Sequence, residues 1–278
     1  MYRAFNLTDL ANFEELERID KNTAQADYDY HKQQVTKNLS ISRVLREAII
    51  ARRNGDQIKI DADQIQQNIF PNYKKYDVFI SHSHQDLELV QKFAYYLRNT
   101  LGLKVFIDSE VWGYVDDLLM SVNNQYAKIG EKLYDYKKCN LNASVIYLML
   151  SNAIHDVINE TECLFFINTP NSINSEENIE ETTESPWIYD ELKTTSIIKP
   201  KIPDRIQAMI DVYKIHQKSS QNVIVDSAEP VWIRDVTKEV NSLEVLPNRI
   251  LVEWQNKYEL DRTHDALVEF YLILFNIK

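Results

Sequence analysis

Glycine is scarce in this chain of 278 residues. There are four glycines, where about 19 are expected at the usual share of roughly 7%. The Rossmann fingerprint and the P-loop both need clustered glycines, because a glycine backbone can approach a phosphate closely. No two glycines of this sequence lie close enough for either motif. The scarcity therefore excludes kinases, P-loop NTPases and dehydrogenases of the fingerprint type.

Cysteine is also scarce, and the chain has no net positive charge. Cys139 and Cys163 are the two cysteines, too few for a disulfide framework or a four-cysteine zinc site, which favours a reducing cytoplasm. The net charge of −11 argues against nucleic acid or an anionic membrane as a partner, since both need a cationic surface. No signal-peptide layout opens the sequence, and its longest apolar run, Ala143–Leu150, is too short to span a bilayer. We expect a cytoplasmic protein with no nucleic-acid or membrane partner.

The first 72 residues predict helices. Apolar spacing indicates helices over Leu7–Ile19 and Asp27–Arg53, and a shorter one over Asp61–Ile69. The pattern changes after residue 72. We therefore expect an N-terminal helical segment over residues 1–72, with a regulatory or assembly role, and a separate domain over residues 73–278.

Strands and helices alternate in residues 73–278. The strand Tyr76–Ser81, the helix Asp86–Thr100 and the strand Leu103–Asp108 form a βαβ pattern, which implies a parallel sheet. Further predicted helices and strands are Val115–Lys128 (helix), Asn142–Asn159 (helix), Cys163–Asn168 (strand), a helix capped by Ser185 and Pro186, Asp204–Gln217 (helix), Asn222–Asp226 (strand), Leu243–Leu246 (strand) and Thr263–Phe275 (helix). The expected fold class is α/β, a flavodoxin-like open parallel sheet flanked by helices.

Polar residues follow the predicted strands where such sheets bind ligands. Ser81–His84 follows the first strand, Asp108 the second and Asn168 the third, and the carboxyl ends of parallel strands line one crevice. On the helix after the third strand, Trp187 and Glu191 are four residues apart and share a face. An aromatic side chain one turn from a carboxylate suits a ligand with a ring and sugar hydroxyls.

These motifs resemble the Toll/interleukin receptor (TIR) domain family. The matching pieces are Asp77–His82, the strand Gly102–Asp108, the loop after it, and Trp187–Glu191. The resemblance covers roughly residues 74–278, and the order of the motifs is more specific than any one of them. It implies a flavodoxin-like sheet that, in many bacterial members, cleaves NAD between nicotinamide and ribose.

The resemblance also implies roles for individual residues. Glu191 matches the catalytic glutamate, Trp187 matches the aromatic residue one turn before it, and the segment Ser109–Tyr114 matches the BB loop, which mediates assembly and gates the site. NAD is the substrate, so neither a cofactor nor a metal is expected. The implied substrate-binding residues are Phe79, Ser81, His82, Ser83, Asp108, Trp112 and Trp187.

By the same resemblance, the protein is expected to be an NAD glycohydrolase or ADP-ribose cyclase in antiphage defence. Self-association of TIR domains would complete the site, and a defence-system partner protein is a further expectation. Hydrolysis and cyclisation share their first step, so the residues leave the product open. The sequence departs from the family pattern in the extra helix Asn142–Asn159 and in an acidic insert over Asn174–Glu184.

Other interpretations remain open at this point. A non-catalytic TIR module would dock a partner through Trp112–Tyr114. Another glutamate-dependent enzyme acting on N-glycosidic bonds, such as a nucleoside deoxyribosyltransferase, would prefer nucleosides to dinucleotides. A metal site would need at least three converging ligands, and the candidates are His82, His84, Asp86 and Asp108.

Overall fold

The computed structural model describes residues 1–36, 40–52, 58–69, 76–174, 181–210, 234–263 and 265–275. Its strands are β1 (Arg3–Leu7), β2 (Ile49–Arg52), β3 (Ile58–Ile60), β4 (Val78–Ser81), β5 (Val105–Ile107), β6 (Cys163–Ile167), β7 (Thr182–Thr183), β8 (Arg234–Asp235) and β9 (Glu244–Val245). Its α-helices are α1 (Glu14–Glu17), α2 (Lys21–Thr36), α3 (Ile41–Glu47), α4 (Ala62–Ile69), α5 (Leu87–Asn99), α6 (Ser109–Tyr126), α7 (Tyr136–Glu160), α8 (Pro186–Ile197), α9 (Asp204–Ile210), α10 (Thr237–Ser242), α11 (Asn248–Leu260) and α12 (Ala266–Leu274). Two short 3-10 helices lie at Leu10–Asn12 and His84–Asp86.

The central sheet is parallel and has five strands in the order β5-β4-β6-β1-β9. Helices flank it, which confirms the expected α/β class. The three strands that follow residue 76 in the chain take the spatial order second-first-third, as in the flavodoxin arrangement. The next place in the sheet is filled by β1, from the N-terminus, and the last by β9.

The N-terminal segment over residues 1–72, expected to be helical, begins with a strand. Arg3–Leu7 is a strand whose five residues pair in register with Cys163–Ile167 of β6. Phe5 and Leu7 are buried on one side of this strand. The strand was not predicted because a segment of five residues is too short for its apolar spacing to distinguish a strand from a helix. The predicted helix Leu7–Ile19 is thus replaced by β1, a 3-10 turn and the short α1. The predicted helix Asp27–Arg53 is divided between α2, α3 and β2.

Aromatic side chains form the core on one face of the sheet. Phe165 of β6 lies against Phe5, Phe93 of α5 and Phe270 of α12, with ring centroids 5.7, 5.7 and 6.1 Å away. Trp254 of α11 stacks on Phe270 at 4.3 Å, and its Nε1 donates a hydrogen bond of 2.6 Å to the Ala266 carbonyl. Helices α5, α11 and α12 therefore cover this face.

Helix α8 packs on the opposite face of the same sheet. Ile80 of β4 is in register with Phe165, so it points to the aromatic face, and successive side chains of a strand point to opposite faces. Ser81 therefore points away from the aromatic core, and it contacts Glu191 of α8. The two faces thus differ: one carries the aromatic cluster around Phe165, and the other places Ser81 and Glu191 at the carboxyl end of β4.

The chain divides into two compact units. The first contains residues 1–28, 75–106 and 158–278, and the second contains residues 29–74 and 107–157. This division differs from the predicted boundary at residue 72. The second unit contains the antiparallel pair β2–β3 and helices α3, α4, α6 and α7, with α3 packed against α4 and α6.

The predicted loop Ser109–Tyr114 is instead the start of a helix. Helix α6 begins at Ser109, and the carboxylate of Asp108 accepts a hydrogen bond of 2.7 Å from the Ser109 N–H. Such a cap satisfies a backbone donor at a helix start, which favours immediate helix formation after β5. The extra helix predicted over Asn142–Asn159 is present and begins earlier, at Tyr136.

Helix α7 has the length and mean hydropathy of a membrane-spanning helix. Within the residues that the structure covers, it is the one helix long and apolar enough to meet this test. Of its most apolar stretch of 18 residues, 39% is buried. Ile146, Leu150 and Ile154 are buried, whereas Tyr136 and Leu148 are exposed. The core helices of soluble proteins meet the same test.

The remaining strand predictions have different outcomes. Leu243–Leu246 contains the short edge strand β9, which pairs with Phe5 and Asn6 of β1. The strand predicted over Asn222–Asp226 lies outside the described residues. Helix α9 is described from Asp204 to Ile210, the first half of its predicted length.

Candidate functional site

Helix α8 carries the candidate catalytic residue, and its start is fixed by local chemistry. Ser185 is the N-cap, and its Oγ accepts a hydrogen bond of 3.2 Å from the Ile188 N–H. Pro186 occupies the first helical position, where the missing N–H costs nothing. Two residues before Ser185, the Thr183 hydroxyl accepts from the Ser185 N–H at 3.2 Å. The helix therefore begins where the sequence predicts.

Glu191 lies on the second turn of α8 and is buried, with 1% of its surface exposed. The hydroxyl of Ser81, the last residue of β4, donates a hydrogen bond to Glu191 Oε2. Ser81 is itself fully buried. The structure thus brings together two residues that the sequence places at strand and helix ends 110 positions apart.

An ion pair at Lys193, two residues after Glu191, holds α8 in place. Lys193 Nζ lies 2.8 Å from Glu239 Oε1 of α10, and the Glu239 side chain is buried at 6% exposure. The hydrogen bond to Glu239 raises the pKa of Lys193. A buried carboxylate without its cation is costly, so this pair holds α8 against α10. Sequence reasoning missed it, since no local pattern links the two residues.

The aromatic candidates occupy different environments. Trp187, one turn before Glu191, is half-buried. Phe79 is fully buried within β4 and stacks on Phe106 of β5 with ring centroids 5.3 Å apart. Phe79 therefore acts as a core residue beneath the site.

The loop after β4 is tied to the loop after β6. Asp86 accepts hydrogen bonds from Thr169 Oγ1 at 2.5 Å and from Asn171 Nδ2 at 2.7 Å. This network was not predicted, although the position of Asp86 and Thr169 just after strand ends was a signal for it. Asp86 thereby orients the turn that follows Ser81.

The serine and histidine residues of that turn are placed individually. Ser83 is half-buried and accepts from the Gln85 N–H at 3.4 Å, which caps the 3-10 helix. His82 is buried, with its ring centroid 6.2 Å from that of His84. Among the residues with described positions, no group of three or more His, Cys, Asp or Glu side chains is arranged to hold a metal ion.

Two of the substrate-binding residues implied by the resemblance belong to the second compact unit. Asp108 is buried and caps α6. Trp112 lies within the first turns of α6, and its side chain is outside the described part of the structure.

The acidic insert before α8 is closed at its base. The backbone groups of Asn174 and Thr182 exchange two hydrogen bonds of 2.8 and 3.1 Å, and β7 pairs with β8. Burial raises the pKa of Glu181, and the nearby Asp235 raises it further. Three other glutamates of the insert, Glu176, Glu177 and Glu180, lie outside the described residues.

Comparison with known proteins gives no relative. No family model matches the chain, and neither a curated protein nor a solved structure matches it.

Proposed function

We propose that this protein is a TIR-like NAD glycohydrolase or ADP-ribose cyclase that cleaves the bond between nicotinamide and ribose. The supporting observation is the buried contact between Ser81 and Glu191, where a carboxylate lies at the carboxyl end of a parallel sheet. Ligands bind open parallel sheets at this end. The motifs shared with TIR domains supply the identity of the substrate.

The proposed reaction needs one carboxylate. The bond between C1 of the ribose and the pyridinium nitrogen breaks, and its electron pair leaves with nicotinamide, which becomes neutral. Because this leaving group needs no proton, a general acid of the kind that glycosidases use is unnecessary. Glu191 would stabilise the oxocarbenium-like ribose, whose positive charge develops in the transition state.

The second step decides the product. A water molecule that attacks C1 of the ribose forms a C–O bond, loses a proton and gives ADP-ribose. A nucleophilic atom of the same ADP-ribosyl group that attacks instead gives a cyclic product. Both outcomes follow from the same cleavage by Glu191.

The enclosure of Glu191 supports activation by assembly. The carboxylate is 1% exposed and already accepts the Ser81 hydroxyl, so NAD needs a rearranged site to reach it. Association of two copies would supply such a rearrangement, as expected for TIR domains. We propose that the enzyme acts in the cytoplasm, in antiphage defence, and that self-association turns it on.

Nicotinamide release from NAD, measured by HPLC at low and high protein concentration, tests this proposal. We expect release that rises more steeply than protein concentration, and a loss of at least about 100-fold in Glu191→Gln, the scale of removing a group that stabilises transition-state charge. Glu184→Gln is the matched control, since Glu184 is exposed and lies just before the same helix. It should leave the rate unchanged.

Two results would contradict the proposal. Glu191→Gln with undiminished release would exclude this glutamate as the catalytic group. No release by the wild-type protein at any concentration would favour the non-catalytic docking module, whereas cleavage of nucleosides but not of NAD would favour a deoxyribosyltransferase-like activity.

A further inference from the structure

The side-chain oxygen of Asn6, on β1, is a buried acceptor without a hydrogen-bond partner among the described residues. Its side chain is 5% exposed, and its Oδ1 is buried and accepts no hydrogen bond from any described residue. A buried polar atom without a partner costs about 1–3 kcal/mol, and such atoms in native proteins call for an explanation. Its neighbours on the same strand, Phe5 and Leu7, are apolar and buried as a core strand requires.

The register of the sheet places Asn6 on the same face as Ser81. Phe166 of β6 is in register with Ser81 of β4 on one side and with Asn6 of β1 on the other. Residues in register on adjacent strands point to the same face, and strands are spaced about 4.8 Å apart. Asn6 and Ser81 are therefore about 10 Å apart, across one intervening strand. Both face the side of the sheet on which Glu191 lies.

Asn6 also lies at the binding end of the sheet. It is the penultimate residue of β1, as Phe166 is of β6, and Ser81 is the last residue of β4. Ser81, Phe166 and Asn6 thus form one row at the carboxyl ends of three parallel strands. Open parallel sheets bind their ligands at such a row.

We infer that Asn6 is a substrate-binding residue that accepts a hydrogen bond from the dinucleotide. The amide oxygen needs an O–H or N–H donor, which NAD supplies through its ribose hydroxyls, its carboxamide and its adenine amino group. This inference rests on the proposed function and extends the site from β4 and α8 to the N-terminal strand. Asn6 lies away from Glu191's partner Ser81, so it binds substrate without acting on the bond that breaks.

A substitution without an acceptor separates binding from chemistry. Asn6→Val removes the amide and retains a side chain suited to a strand, and Asn6→Ala is the smaller alternative if valine does not fit. We expect KM for NAD to rise about three- to tenfold, the scale of one lost hydrogen bond, with kcat unchanged. The denaturation midpoint should not fall in Asn6→Val, because the substitution removes a buried oxygen that has no partner among the described residues.

Phe5→Leu is the matched control on the same strand. Phe5 packs on the opposite, aromatic face against Phe165 and Phe270. This variant should lower the denaturation midpoint and leave KM unchanged. A structural role for Asn6 would give the same result as this control, so the pair of measurements distinguishes a binding residue from a core residue.

Nicotinamide mononucleotide, used as a competitive inhibitor, shows which half of NAD carries the group that donates the hydrogen bond to Asn6. An inhibition constant that rises with KM in Asn6→Val places the donor in the nicotinamide riboside half, and an unchanged constant places it in the adenosine half. An unchanged KM for NAD in both Asn6→Val and Asn6→Ala, with an active wild-type enzyme, would overturn the inference about Asn6 alone. An inactive wild-type enzyme would instead overturn the proposed function.

Discussion

Removal of the Ser81 hydroxyl is expected to destabilise the protein by an amount that depends on the charge of Glu191. Both residues are buried, and the hydroxyl donates directly to the carboxylate. A hydrogen bond to a charged group contributes about 1.5–3 kcal/mol, so Ser81→Ala should lower the free energy of unfolding by about 2 kcal/mol. At 1.36 kcal/mol per factor of ten, this is about a 30-fold change in the unfolding equilibrium constant.

The same substitution in a Glu191→Gln background should cost less. The glutamine carbonyl still accepts from Ser81, but a neutral hydrogen bond has roughly half the strength of a charge-assisted one. We therefore expect Ser81→Ala to cost about 1 kcal/mol there, which leaves a coupling energy of about 1 kcal/mol between the two sites.

Urea denaturation of the four proteins in this double-mutant cycle measures the coupling. Ser83→Ala is the control, because Ser83 lies in the same turn but caps the backbone of Gln85 instead of contacting Glu191. Its cost should be the same in both backgrounds. Additivity of Ser81→Ala and Glu191→Gln within about 0.3 kcal/mol would refute the charge-assisted contact.

Two further predictions concern ion pairs of the first compact unit. Asp27→Ala should lower the free energy of unfolding by about 3–5 kcal/mol. The reason is that it removes the carboxylate that lies 3.0 Å from the buried guanidinium of Arg98. A loss below about 1 kcal/mol in urea denaturation would mean that the pair behaves as a surface contact. Burial raises the pKa of Glu162 above its ordinary value of 4.5, while Arg205 opposes the shift. The folded state therefore binds more protons than the unfolded state just above pH 4.5, so this group makes stability fall as pH rises through that window. Glu162→Gln should flatten the pH dependence of the urea midpoint there, and an unchanged slope would contradict the assignment.

Local sequence signals predicted the parts of the fold that local chemistry determines. Ser185 and Pro186 specified the start of α8, since a cap and a first-turn proline act within a few residues. The strand Cys163–Ile167 is an apolar run bounded by polar residues, which is typical of a buried parallel strand. Ser81 ends a similar apolar strand, β4, and Glu191 lies on α8, so local signals also located these two residues within their elements.

The failures have two physical causes. Strand β1 was missed because it is defined by pairing with β6 and β9, whose residues are distant in the chain and invisible to any local pattern. Asn6 was missed with it. Ser109–Tyr114 was predicted as a loop before a helix over Val115–Lys128, while in this chain the Asp108 cap favours a helix at once, from Ser109.

The position of β1 has a consequence for how this protein is made. The strand is synthesised before both of its partners, which are Cys163–Ile167 on one side and Glu244 and Val245 on the other. At 5–20 residues per second, synthesis of its last partner follows by roughly ten seconds or more. Until β6 is made, the apolar Phe5 and Leu7 have no neighbouring strand to pair with, and pairing between segments so far apart in sequence is intrinsically slow. Strand β1 can therefore enter the sheet only after β6 has been made, and that pairing is the step that brings Asn6 into its row.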